Sequence, residues 1–234
     1  MNLSTITQQW IDQNPMRNTI RTMRKTGIHQ WGFVIYRATY GDDDLWDRYL
    51  AALKENIREN LQRNKCHDLL DQYAHWEVVC MEAGGNGKTD VRRLFAAWCA
   101  EQTDRFAEQP SLTPPRFTHC LYVNEECLST LEAHEEARLK RKVPGLGPPL
   151  PPLVAVVIDG GYSPPSRGWG LASRQEFPPV EGCSDKYVGW EYYNVVYIPL
   201  LYDKLHNQRL DDEPDYVRPP AIAPLGNLSM EERS

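Results

Sequence analysis

Glu82-Ala-Gly-Gly-Asn-Gly-Lys88-Thr89 lies between an apolar run and a helical pattern. That is where a phosphate-binding loop sets its backbone amides and lysine around a phosphate. Such a loop needs glycine five positions before Gly87, and Glu82 stands there instead. A carboxylate opposes an anionic ligand and lacks glycine's backbone freedom. Residues 84–89 therefore read as a degenerate phosphate loop, with a plain strand-to-helix turn as the simpler account. Val154 to Asp159 imitates a strand ending in a Mg²⁺-holding aspartate, although apolar strands commonly end in Asp.

A second cluster is Arg37 with Tyr40 and Asp42-Asp43-Asp44. Neighbouring carboxylates suit acid–base or Mg²⁺ work, but helix capping accounts for one or two of them without a ligand. Arg37 ends a strand whose two faces are apolar, so its charge needs a partner: a carboxylate such as Asp43, or an anionic ligand. Metal ligation is not expected. His119, Cys120 and Cys127, or Cys66 and His67, lack ligand spacing, and His119 and Cys120 point to opposite faces of one strand. Gly-x-Ser-x-Gly is absent, and no Cys or Ser has an obvious partner His.

Trp31-Gly-Phe-Val-Ile-Tyr36 fits the back half of an RNA-binding strand motif, in which aromatics stack bases. His29-Gln30 stand where a basic residue and glycine belong. The net charge of −6 and pI near 5.6 point the same way, so no nucleic-acid partner is expected. Core packing explains these aromatics better.

The elements that must position these residues follow from periodicity. Residues 31–36 form a central strand. Asp42 or Asp43 caps a helix with Leu45, Trp46, Tyr49, Leu50, Leu53, Ile57 and Leu61 on its apolar face. Trp76 to Met81 is a second strand, and Val91, Leu94, Phe95 and Trp98 mark a second helix. Phe117 to Val123 is a third strand, and Asn124 caps a helix ending in Arg138, Lys140, Arg141 and Lys142. A stiff proline-rich connector spans 144–152, followed by the very apolar strand 153–158. A Gly/Pro-rich loop over 160–186 carries Trp169 and is too long for a passive connection. A last strand runs from Tyr187 to Ile198, ahead of a helix over 200–205.

Strands alternating with helices predict an α+β domain with a mixed or antiparallel sheet of four to five strands. The preferred topology is a ferredoxin-like split βαβ. Three segments are expected: a basic N-terminal helix and lead-in at 1–29, a single domain at 30–209, and an acidic, proline-rich, disordered tail at 210–234. In the first of these, Asn14-Pro15 reads as a cap and first turn, and Gly27 as the stop. Residues 1–41 hold five Lys/Arg and one acid, Asp12. Such a start could be a transit peptide, but Asp12 and the helix break at Pro15 favour a short solvated helix.

Six cysteines without an apolar signal segment point to free thiols in a reducing, cytoplasmic setting. No apolar run approaches the roughly 20 residues that cross a bilayer.

Trp31-Gly-Phe-Val-Ile-Tyr-Arg37, Tyr40, Asp42-Asp43 and Trp46 together resemble a family of filamentous-fungal proteins. Asp90-Val-Arg-Arg93 with Phe95 and Trp98, Cys120-Leu-Tyr-Val123 with Glu125-Glu126-Cys127-Leu128, and Val188-Gly-Trp190 near Tyr202 are similar to it as well. The likeness covers roughly residues 30–205. It implies a fungal source and a shared fold, and a loose association with secondary-metabolite biosynthesis, but no mechanism. A non-catalytic binding or accessory module is the leading expectation, holding a small molecule or protein partner under the 160–186 loop, with Trp169 and Trp190 nearby. The alternative is an enzyme using Arg37, Asp42 and Asp43 beside a pocket under that loop. No cofactor is expected under either reading.

Overall fold

A strand apolar on both faces is stable only inside a sheet with covering layers on each side, and β1 (Val34–Arg37) takes that position. The computed structural model describes residues 3–81, 87–102, 113–141, 150–163, 177–212 and 216–222. The sheet is mixed and five-stranded, in the order β2-β1-β3-β4-β5. Both β2 (Glu77–Cys80) and β3 (His119–Val123) run parallel to β1, with Ile35 level with Val78 on one side and Leu121 on the other. β4 (Val154–Asp159) is antiparallel to β3, and β5 (Trp190–Asn194) is antiparallel to β4.

The α+β class and the strand count agree with expectation, whereas the ferredoxin-like topology does not match this order. β2 and β3 do straddle β1, as the outer strands of a split βαβ unit must. But β1 runs parallel to both, and in the ferredoxin-like arrangement the intervening strand is antiparallel.

Helices cover both faces. α3 (Asp43–Arg63) starts where Asp42 accepts from the Leu45 amide at 2.8 Å, and it buries Trp46, Tyr49, Leu53, Ile57 and Leu61. It lies on the face carrying Ile35 and Arg37, beside α7 (Leu131–Lys140) and α8 (Ile198–Lys204). Asn56 and His134 are buried between α3 and α7. The Asn56 amide lies 3.1 Å from His134 Nε2, while His134 Nδ1 meets Pro151 O at 2.7 Å. Since a carbonyl can only accept, Nδ1 carries the proton and Nε2 accepts from Asn56. α5 (Lys88–Gln102) covers the opposite face, where Phe95 meets Tyr36 edge-on.

Local chemistry shifts several boundaries. The helix expected after Asn124 is two pieces, α6 (Glu125–Leu128) and α7. The hydroxyls of Ser129 and Thr130 bond back to Glu126 O and Cys127 O between them. The last strand begins at Trp190, after the left-handed Gly189, and ends where Asn194 accepts from the Val196 amide. The chain then turns through a 3₁₀ segment, Val195–Tyr197, into α8.

The N-terminal helix read as solvated belongs to the core. Leu3, Ile6, Ile11, Met16, Ile20 and Met23 are buried. α2 (Arg17–Thr26) has no side-chain cap of its own. Asn14 instead accepts from the Met16 amide, and Asp203 on α8 accepts from the Thr19 amide at 2.7 Å and from Asn18 at 2.9 Å. Gly27 stops α2 in the left-handed region, as expected.

The tail is likewise tied down at its start: Tyr216 is buried, and Ile222 bridges to Tyr192. Residues 213–215 and 223–234 of the expected disordered tail, and residues 144–149 of the expected connector, lie outside the described residues. All six cysteines are free thiols. Among the described residues no helix is long and apolar enough to cross a membrane.

Asp203→Ala should therefore loosen the docking of α2 on α8. Leaving the buried Thr19 amide without its acceptor is expected to lower stability by about 1–3 kcal/mol in urea titrations. A change indistinguishable from zero would show that α2 does not depend on this cap.

Candidate functional site

The end of β1 places four of the expected site residues together. The Arg37 guanidinium lies 4.8 Å from the Trp46 ring centre and 5.1 Å from that of Tyr40. Its Nε donates to Thr39 O at 2.7 Å, and Nη2 pairs with Asp43 at 2.5 Å. The Tyr40 hydroxyl stands 2.8 Å from Arg37 O and also reaches Met81 O, joining the ends of β1 and β2. Asp42 is occupied as the α3 cap. The buried charge thus has internal partners, while the Asp43 side chain is 81% exposed. This cluster is a structural joint.

Trp190 stands on the other face. It pairs with Ile158, which pairs with Cys120, all on the α5 side, whereas Arg37 faces Trp46 on the α3 side. The sheet separates the two halves of the expected site, so among the described residues they share no pocket. Trp169 lies outside the described residues.

What meets Trp190 is Lys88, the lysine of the degenerate phosphate loop. Its ammonium lies 4.0 Å above the Trp190 ring and 5.8 Å from that of Tyr122. It also donates to Glu181 Oε1 at 2.6 Å. The Lys88 side chain is only 11% exposed, while Glu181, with φ of 50°, stands half-exposed on the loop's returning flank. Gly87–Thr89 are described, and Glu82–Asn86 are not. A lysine over an indole, beside a surface carboxylate at the first residue of α5, can exchange that carboxylate for another anion.

The described flanks of the 160–186 loop close around a polar network that spacing did not reveal. Arg92 donates to Asp159 O at 3.0 Å and Gly189 O at 2.9 Å, with its guanidinium over the Tyr162 ring. Asp159, weighed earlier as a metal ligand, accepts from the Tyr187 hydroxyl at 2.8 Å and from the Gly161 amide at 2.9 Å. Tyr162 meets the Cys183 thiol at 3.5 Å. Gly189 must be glycine, since a Cβ there would lie 2.2 Å from Tyr162. Arg92 belongs to the Asp90-Val-Arg-Arg93 motif, the one sequence signal for this joint. No group of three His, Cys, Asp or Glu among the described residues is placed to hold a metal ion.

Burial sets the electrostatics. His119 is pulled down to about 4 by desolvation, against the charge of Asp159, and is neutral at pH 7. Tyr187 and Tyr162 are pushed up, first by burial, then by Asp159 at Tyr187 and by Cys183 at Tyr162. Glu191 is pushed up to about 8 by burial, with the Val217 amide and Lys204 opposing. Comparison with known proteins returns no matching family model, curated protein or solved structure.

Two expectations follow. Arg37→Ala should cost about 2–4 kcal/mol through lost packing on two rings and an unpaired carbonyl. Asp43→Asn should cost about 0–1 kcal/mol because the Asp43 carboxylate is largely in water and the substituted amide oxygen can still accept from Arg37. Equal costs in paired urea titrations would mean the ion pair, not the packing, holds this joint.

Glu191 makes stability depend on pH. Folding raises its pKa from 4.5 to about 8, so the native chain binds more protons than the unfolded chain between those values. Stability from this group falls as pH rises through that window. Glu191→Gln should flatten the fall, melting above wild type at pH 8 and level with it near pH 4.5. Parallel melting profiles would contradict the assignment.

Proposed function

We propose that the protein is a non-catalytic binding module that takes an anionic ligand at the start of α5, between Lys88 and the 177–189 flank. The observation that carries this reading is Lys88, sequestered on the Trp190 ring and balanced by a half-exposed Glu181. Only the Glu181 half of the pair is open to water, so an incoming carboxylate can take its place while the sequestered ammonium stays paired. The ligand then gains the ammonium, the positive end of α5 and the indole surface. The ligand class is a small carboxylate, and Glu181 is its internal competitor. The Arg37 cluster takes no part in this reading, because its donors meet Thr39 and Asp43 on the far face of the sheet.

Thermal shift with benzoate, citrate, inorganic phosphate and Mg²⁺–ATP tests the proposal, because a ligand bound only by the native state raises the melting temperature. A carboxylate is expected to stabilise the wild type and to act at several-fold lower concentration on Glu181→Gln. The response should vanish in Lys88→Met. A response to Mg²⁺–ATP alone would instead favour the phosphate-loop reading of residues 84–89. No response in either wild type or Glu181→Gln would overturn the binding site.

A further inference from the structure

The two edges of the sheet are treated differently. Beside β5, the segment 216–222 lies against the edge. Tyr216 donates to Trp190 O, the Val217 amide donates to Glu191, and Ile222 bridges to Tyr192. Among the described residues nothing comparable covers β2, the strand at the other edge.

The ladder shows what that edge presents. The amide of His75 donates to Trp31 O at 2.8 Å and that of Met81 to Arg37 O at 3.2 Å. Residues 75, 77, 79 and 81 therefore turn their peptide groups toward β1, and Trp76, Val78 and Cys80 turn theirs off the sheet. The side chains of these three share the face that carries Ile35 and Arg37. Val78 is 37% exposed, Cys80 is exposed, and Tyr40, hydrogen-bonded to Met81 O, is 43% exposed.

An open edge is normally guarded by lysine, proline or a bulge. Trp76-Glu-Val-Val-Cys-Met81 has neither lysine nor proline, and its one charge is turned away: Glu77 accepts from Trp98 Nε1 on the α5 side.

We propose that this edge pairs with the same edge of a second copy of the chain, antiparallel and centred on Val78, joining two five-stranded sheets into one. Two features of the edge select a second copy. Centring on Val78 sets Val78 opposite its counterpart and Trp76 opposite Cys80. Glu77 then faces Val79, so no like charges meet and every outward peptide group finds a partner. The 216–222 segment lies along the β5 edge, so among the described residues each chain offers one free edge and the association closes at two copies.

Sedimentation velocity over a wide concentration series tests this on the full chain. The wild type should form dimers at high concentration, and Val78→Lys, which sets two ammonium groups opposite each other, should lose them. Val78→Pro should do the same with unchanged circular dichroism, since the amide it removes points away from β1. In a Cys80→Ser background, Val78→Cys should give a disulfide-linked dimer on mild oxidation. A hydrogen-bonded antiparallel pair sets the two Cα atoms about 5.5 Å apart, within disulfide reach. A monomer at every concentration would overturn the proposal and leave the edge to an extended segment of a different protein. Dimers that persist in Val78→Lys would overturn it by placing the interface elsewhere.

Discussion

The burial of β1 on both faces is the constraint on which the rest of the structure depends. Val34, Ile35, Tyr36 and Arg37 are all buried, so neither face of the strand can be left to water. Each buried aromatic or aliphatic side chain of this kind is worth about 1.5–3 kcal/mol. That preference is met only if strands flank β1 on both sides and helices cover it above and below. The chain meets it by sending α3 over one face to reach β2 and α5 over the other to reach β3.

The same strand carries the main liability, the charge of Arg37. Taking a guanidinium out of water costs several kcal/mol unless its donors are matched. The compensation is assembled from adjacent chain: a carbonyl two residues on, a carboxylate six residues on, and the rings of Tyr40 and Trp46, each ring contact worth about 0.5–2 kcal/mol. Because Asp43 opens α3 and Tyr40 reaches the end of β2, this compensation also fixes how strand, helix and edge strand meet. Arg92 does related work on the other side, where its donors gather the carbonyls at the end of β4 and the start of β5.

The binding surface proposed on the α5 side is thus made of residues from distant parts of the chain. Lys88 and Glu181 are 93 positions apart. No spacing rule joins them, since they meet only because β4 and β5 bring the flank of the long loop over the start of α5. The Arg37 cluster, by contrast, spans ten residues, so its members were legible as a group, read as candidates beside a pocket with an internal partner as the other option; the structure gives Arg37 the internal partners. Trp190 was also picked out from the sequence, but assigned to the wrong companions, because a strand pattern does not say which face of which sheet a residue will share.

Sequence alone determined the elements whose causes are local: the α3 stripe and its Asp42 cap, the apolar runs of β1 and β4, the stop of α2 at Gly27, and the alternation of strands with helices. Each rests on periodicity or on a hydrogen bond within a few residues. Tertiary structure decided the strand order, with β1 parallel to both neighbours, and the docking of α2 through Asp203 at the far end of the chain. It also decided the division of the candidate residues between two faces. These are choices among pairings whose local energies are nearly equal, and packing across the whole sheet separates them.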